Sequence, residues 1–346
     1  MTRSPDDPIT DGPIRNHTMR KLLICVRHPF DQWNAPLWFS ERLRRDFPQL
    51  NVVHLPDYKR VDEEIVDAEI VVAWSIRPEQ IGTAKKLRWI HSPAAAVHQL
   101  MFPELVQSEI VLTNARAVHG PVVAEHVIAF IFALAKKIPD SVRLQAKHVW
   151  GQQILWDELP RIREVVGATV GMVGLGSIGR AVAKSAKGLG MRVIAVREHP
   201  EKGSEGADAV LGPAQIDEVF RQADYIVLAA PVTDSTKAVA NAERLALMKA
   251  DACLINVGRG PLVDEAALAA ALGEKKIGGA ALDVFPKEPL PADSPLWDVP
   301  NLLITPHTAA LTDKLWERHY ALFSDNLRRY LAGQPLSAVV DKHKGY

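Results

Sequence analysis

Cysteine is nearly absent: the 346-residue chain has two, Cys25 in LLICV and Cys253 in ACLINV. Two thiols inside apolar, strand-like runs cannot form a disulfide framework, and they read as buried, reduced groups of a cytoplasmic protein. An excess of either charge is also missing, since 41 basic residues balance 41 acidic ones. That balance removes the electrostatic basis for binding nucleic acid or an anionic membrane. No apolar run is long enough to span a bilayer. Residues 1–20 lack the apolar stretch and cleavage pattern of a signal peptide, and are expected to form a disordered tail in which Met19 is an alternative start. Internal repeats, low-complexity runs and coiled-coil heptads are absent too. The remaining composition, 47% hydrophobic and 24% charged, suffices for two domains with full cores and leaves a small molecule as the default partner.

From Lys21 onward, short apolar runs alternate with helical patterns. KLLICV, NVVHL, IVVAWS, RWIHS and IVLTN read as strands; helices are expected near Pro36–Asp46 and near Glu63. Such alternation predicts a parallel sheet covered by helices. A helix over Val122–Lys137 is apolar around most of its circumference, which predicts burial between domains or against a second subunit. Trp150–Arg163 reads as irregular. Further strands are predicted at Thr169–Val173, Arg192–Val196, Tyr225–Ala229, Ala252–Asn256, Gly279–Leu282 and Leu302–Ile304. The last helix, Asp313–Ala332, is expected to return to the N-terminal domain.

The segment TVGMVGLGSIGRAVAKSAKGLGMRVIAV, Thr169–Val196, carries Gly174, Gly176 and Gly179 between a strand pattern and a helix pattern. In a dinucleotide-binding βαβ unit the first glycine makes the tight turn. The second lets backbone approach a pyrophosphate, and the third lets helix pack on strand. The helix N-terminus then presents unpaired N–H groups and a partial positive charge to the phosphates. A motif this far along the chain leaves room for a separate upstream domain. The expected fold is therefore α/β, with two Rossmann-like or flavodoxin-like domains built on parallel sheets and the active site in the cleft between them. The expected boundaries are 21–116 plus 311–346 for the substrate domain and 117–310 for the dinucleotide domain.

Four polar residues fall where strands of the second half end, the edge at which doubly wound sheets bind ligands. Arg259, in INVGRGPLVDE, offers a planar, permanently charged fork suited to a carboxylate; a solvated loop arginine is the alternative. Glu288, in LDVFPKEPLP, is held among prolines 286, 289 and 291, or is simply a surface carboxylate. His307, in LLITPHTAA, is either a structural hydrogen-bonding residue or a general acid. A carboxylate beside a histidine fixes its tautomer and suits it to proton transfer near neutral pH. Asp283 either caps the turn after its strand or holds the nicotinamide side of a site.

With these residues in place, the chain resembles the D-isomer-specific 2-hydroxyacid dehydrogenases over most of its length. The blocks VGLGSIGR, APVTDSTKAVANAERLALMKADACLINVGRGPLVDEAALAAAL and GGAALDVFPKEPLPADSPLWDVPNLLITPH are similar to that family's signatures in order and spacing. TNARAVHGPVVAEHVIAFIFALAKKIP resembles the helix that packs across the family's two-fold dimer, implying a homodimer through Val122–Lys137. The resemblance implies interconversion of a 2-oxo acid and a D-2-hydroxy acid with NAD(P)H. Arg259 would bind the substrate carboxylate and carbonyl, His307 would exchange the proton at the C2 oxygen, and Glu288 would pair with His307. The spacing 288 − 259 = 29 agrees with the family. Gly174, Gly176, Ser177, Ile178, Val257 and Asp283 would contact the cofactor. Formate dehydrogenases of this fold carry glutamine in place of Glu288, which argues against formate.

Two departures bear on specificity. The family's glycine-rich carboxylate loop is here Ser92-Pro93-Ala94-Ala95-Ala96-Val97, stiffer and bulkier. Ala95 and Ala96 together with Trp74 and Ser75 form the implied substrate side, although Trp74 is equally a core aromatic. Arg197 follows the second strand where NAD-specific relatives carry aspartate, which favours a 2′-phosphate and so NADP(H) over NAD(H). Glu198 is placed to take ribose hydroxyls if the turn shifts by one residue. Arg77 and Arg116 are the cations a phosphorylated substrate would call on. A second functional class, an NAD(H)-binding corepressor of the same fold, remains as the alternative, disfavoured by the absence of long tails and of a basic patch.

Overall fold

The computed structural model describes residues 19–116 and 118–345. The chain divides into two compact units, one ending at Ala115 and resuming at Trp316, the other spanning Arg116–Leu315. The tail expected over residues 1–20 lies outside the described residues except for Met19 and Arg20, and Arg20 already begins the first strand.

The first unit is a five-stranded parallel sheet of β1 (Arg20–Cys25), β2 (Leu50–His54), β3 (Ile70–Ala73), β4 (Trp89–Ser92) and β5 (Val111–Asn114), in the order β2-β1-β3-β4-β5. Strands covered on both faces read as continuous apolar runs, and β3 and β4 are buried throughout. Leu23, Val71, Ile90 and Leu112 pack on one face. On the other, Trp89 stacks on Phe323 of the C-terminal helix Leu315–Leu331, ring centres 5.1 Å apart. The indole N–H of Trp316 on that helix donates to the Gln32 carbonyl at 2.9 Å.

The second unit is a seven-stranded parallel sheet. Its strands are β6 (Thr169–Val173), β7 (Arg192–Val196), β8 (Ala209–Leu211), β9 (Tyr225–Leu228), β10 (Cys253–Asn256), β11 (Gly279–Leu282) and β12 (Leu302–Ile304). They run in the order β12-β11-β10-β9-β6-β7-β8, which reverses direction between β6 and β9. Such a switch point opens a crevice at the carboxyl ends of the strands. Asn256 pairs with Leu282 and Leu282 with Ile304. Val257, Asp283 and Thr305, the next residue on each strand, therefore emerge side by side.

Three expectations need correction. The apolar helix is Gly120–Ala135, and its own unit accounts for its oily surface: Val123, Val127, Phe130 and Ile131 pack with Val170, Met172 and Val182. Pro121, Glu125 and Ala129 are its exposed positions. The stretch 150–163 is not wholly irregular, because Gln152–Asp157 closes a short helix. Strand β8 and the helices Ile138–Ala146 and Ile216–Gln222 went unpredicted. None of the three β8 residues is fully buried, and β8 sits in the sheet through its pairing with β7.

Candidate active site

The glycine turn joins β6 to the helix Ser177–Gly188. Gly174 adopts φ 100°, and a Cβ there would lie 2.9 Å from the backbone of Ala229 and Ala230, across the switch point. A Cβ on Gly179 would lie 2.3 Å from the Gly174 carbonyl, so close helix–strand packing excludes a side chain. Gly176 is the reverse case, with nothing within 4 Å of the added atom. It caps the helix with no side-chain hydrogen bond, which leaves the first N–H groups available to an anion. Two crowded glycines and one open one fit a pyrophosphate cradle. Ser177 and Ile178 are half-buried in the first turn, and the Ser177 hydroxyl donates to the Arg116 carbonyl at 2.6 Å.

At the other side of the switch point, β10 leads into the loop carrying Arg259. Buried Asn256 fastens this loop: its Oδ1 accepts the Gly258 N–H at 3.0 Å and its Nδ2 donates to the Arg259 carbonyl at 2.9 Å. Val257 is buried beside it, its N–H donating to Leu228. The Arg259 side chain is exposed, with Nη1 donating to the Gly258 carbonyl at 2.7 Å. Gly260 is where backbone meets backbone. A Cβ there would fall 1.9 Å from the Phe285 carbonyl carbon, so absence of a side chain seats the arginine loop directly on Phe285–Pro286.

That second loop carries Glu288. Its Oε1 accepts the Phe285 N–H at 2.8 Å, and its Oε2 lies 2.6 Å from His307 Nδ1. One carboxylate is thus anchored by main chain and aimed at the imidazole. His307 sits at φ 53°, an uncommon conformation for a residue with a side chain. Its N–H donates to the Asp283 carbonyl at 2.9 Å.

Asp283, only 1% exposed, takes the turn-capping role. Its Oδ1 accepts from Thr305 Oγ1 at 2.5 Å and from the Thr308 N–H at 2.8 Å, and its Oδ2 accepts the Ala309 N–H at 3.0 Å. The residues flanking His307 are held by one buried carboxylate. Sequence reasoning missed two members of this clamp, Thr305 and His126. His126, on the apolar helix, lies 3.1 Å from Thr305 Oγ1 and 3.8 Å from Asp283 Oδ1. Burial pushes the His126 imidazole toward its neutral form, which suits a hydrogen-bonding partner. A histidine facing inward from an otherwise oily helix was the available signal.

Arg197 follows β7 with a side chain only 15% exposed. In the first unit, the Trp74 indole N–H donates to the Trp33 carbonyl at 3.2 Å, and its ring joins those of Trp33 and His28. Ser75 and Ala95 are exposed and Ala96 half-buried. Asn114 Nδ2 donates to the Ala95 carbonyl at 2.7 Å, which pins that loop. Arg77 is committed to Asp62, with Nη2 2.5 and 2.6 Å from its two oxygens.

A doubly wound sheet with an open glycine cradle on one side of its switch point, and an arginine loop seated against a histidine–carboxylate pair on the other, defines a dinucleotide-dependent oxidoreductase. Residues 128–309 match the NAD-binding domain of the D-isomer specific 2-hydroxyacid dehydrogenases. A glyoxylate reductase from Pyrococcus furiosus is 32% identical over 90% of each protein. A D-isomer specific 2-hydroxyacid dehydrogenase family protein from Aeromonas salmonicida superposes with a TM-score of 0.76 at 32% identity, covering 94% of this chain and 100% of that one. An NADPH-dependent glyoxylate/hydroxypyruvate reductase from Sinorhizobium meliloti, solved with NADP and sulfate, gives 0.77 at 26% identity over 94% and 100%. The chain belongs to the D-isomer specific 2-hydroxyacid dehydrogenase family. It is an NAD(P)-dependent enzyme interconverting 2-oxo and D-2-hydroxy acids. No helix among the described residues is long and apolar enough to cross a membrane.

Proposed function

We propose that the enzyme reduces small 2-oxo acids such as glyoxylate and hydroxypyruvate, with NADP(H) preferred over NAD(H), and that His307, Glu288 and Arg259 carry the chemistry. The observation that carries this reading is the 2.6 Å contact between His307 Nδ1 and Glu288 Oε2. A carboxylate at Nδ1 keeps a proton there and directs Nε2 toward the reacting oxygen. When bound, the reduced nicotinamide supplies a hydride. His307 delivers one proton from Nε2 to the C2 oxygen, and Arg259 holds the substrate carboxylate and steadies charge developing at that oxygen. Gly174, Gly176, Ser177 and Ile178 hold the pyrophosphate, while Val257 and Asp283 border the nicotinamide. Trp74, Ser75, Ala95 and Ala96 are further proposed substrate-binding residues. The NADP complex of the Sinorhizobium relative and the identity of Arg197 support the cofactor preference.

The protein is further proposed to work in the cytoplasm, in keeping with two free, buried thiols, and as a homodimer. The second copy is proposed to pack through the Val122–Lys137 helix, and the adjoining segment 138–159 adds apolar surface to that proposal. Ile138, Val142, Trp150, Ile154, Trp156 and Leu159 are all exposed, Trp150 at 92%, and an apolar cluster of this kind marks an interaction surface. Corepressor activity is not carried further, because the named relatives are reductases and dehydrogenases.

A panel of 2-oxo acids assayed with NADPH and NADH tests the reading, with His307→Ala as control. Turnover of glyoxylate or hydroxypyruvate with NADPH is expected, falling roughly 10²- to 10⁴-fold in the variant. No turnover of any 2-oxo acid, or a fully active His307→Ala, overturns it.

A further inference from the structure

Resting on the reading that the second unit holds a nicotinamide dinucleotide, we propose that Glu205 is a built-in anion seated between Arg180 and Arg197, and that it governs discrimination between a ribose 2′-phosphate and a 2′-hydroxyl.

The two arginines come from the elements that frame the ribose end of a dinucleotide fold, the helix after the glycine turn and the end of the second strand. Arg197 extends the β7 ladder, its N–H donating to the Leu211 carbonyl at 3.2 Å. Its guanidinium is largely buried, and Nη1 has no hydrogen-bond partner among the described residues. A buried guanidinium nitrogen without an acceptor is costly unless an anion arrives.

Glu205 Oε1 supplies part of that anion at ion-pair range. It lies 3.9 Å from Arg197 Nη1 and 3.6 Å from Arg180 Nη1, too far to hydrogen-bond either. One carboxylate faces two guanidiniums, so these three side chains together carry net positive charge. A phosphomonoester dianion brings both the missing charge and three strong acceptor oxygens. A ribose diol brings neither.

The carboxylate therefore plays two parts. Without a phosphate it keeps the buried arginine from standing unpaired, and with one it repels the arriving dianion. Glu205 stands at φ 50° beside Gly206 at φ 91° and two residues after Gly203 at φ 98°, and its side chain is 34% exposed. On the same turn Glu201 is engaged by His199 at 3.2 Å.

Calorimetric titration of the full-length protein with 2′,5′-ADP and with 5′-ADP reads the site without requiring turnover. Glu205→Gln is expected to tighten 2′,5′-ADP binding roughly tenfold while changing 5′-ADP less than about twofold. Glu205→Asp, which keeps the charge on a shorter arm, should fall between. Arg197→Gln should weaken 2′,5′-ADP alone. Unchanged or weaker 2′,5′-ADP binding in Glu205→Gln overturns the proposal and leaves the dinucleotide reading intact. Loss of 5′-ADP affinity in that variant also overturns it, by showing that Glu205 holds the ribose hydroxyls. If neither nucleotide binds the unaltered protein, the dinucleotide reading falls as well.

Discussion

Replacing Glu288 by glutamine keeps the shape of the side chain and changes which atoms carry protons. The buried Phe285 N–H donates to Glu288 Oε1 at 2.8 Å and must keep an oxygen there. The glutamine amide is therefore oriented with its NH₂ group toward His307 Nδ1. Nδ1 must then accept, the ring proton moves to Nε2, and the imidazolium faces a donor instead of a carboxylate. Loss of the charge-assisted bond is worth about 1.5 kcal/mol, the lower end of the usual range, because His307 is 38% and Glu288 33% exposed. That alone is roughly a tenfold fall in rate. The wrong tautomer adds to it, up to about 10⁴-fold where a histidine is held by amide in place of carboxylate. The oxidative direction should suffer more, since Nε2 must accept a proton there and in the variant already carries one. The assay is kcat in both directions across pH, with thermal unfolding as a check that the isosteric change leaves folding intact. A variant within about threefold of the unaltered enzyme in both directions would refute the proton-relay reasoning.

The Thr305→Val substitution removes the donor to Asp283 at 2.5 Å and the partner of His126; kcat should fall roughly tenfold with little change in KM, and Thr305→Ser should restore it. Equal kcat in all three proteins would show that the clamp does not position His307. Gly260→Ala drives a methyl into Phe285–Pro286 and should cost about 1–3 kcal/mol or more, seen as a lower unfolding midpoint together with lost activity; an active, equally stable variant would contradict the seating of the two loops. Buried His91, its Nδ1 2.8 Å from Thr113 Oγ1, is pushed down to about 3 by burial. Because the unfolded chain takes up this proton near pH 6.5 and the folded one does not, stability should fall as pH drops through that window, by about 1.4 kcal/mol at pH 5.5 relative to pH 8. Denaturant midpoints of the protein and of His91→Gln at both pH values should diverge by that amount, and parallel pH dependences would exclude His91 as the source.

Much of the site was legible because its constraints are local. A glycine forced to φ 100° and a glycine with no room for a methyl leave their mark at two positions of sequence. Strands buried on both faces show as unbroken apolar runs, so β6 and β11 were predictable to the residue. Elements whose existence depends on a neighbour were not legible. Strand β8 has no fully buried residue, and neither has the helix Ile138–Ala146.

Residue type and spacing by themselves determined that a dinucleotide turn exists, and that an arginine, a glutamate and a histidine follow strand ends. Those facts are written in neighbouring positions, through backbone sterics and hydrophobic period. Tertiary structure alone decided which distant residues share one carboxylate. Thr305 and His126 stand 179 positions apart, and only the register of parallel strands and the packing of a helix over them bring both to Asp283. The same holds for Glu205 between two arginines, and for the oily helix that its own unit covers. Long-range pairing depends on how strands align and faces stack, which no short stretch of chain encodes.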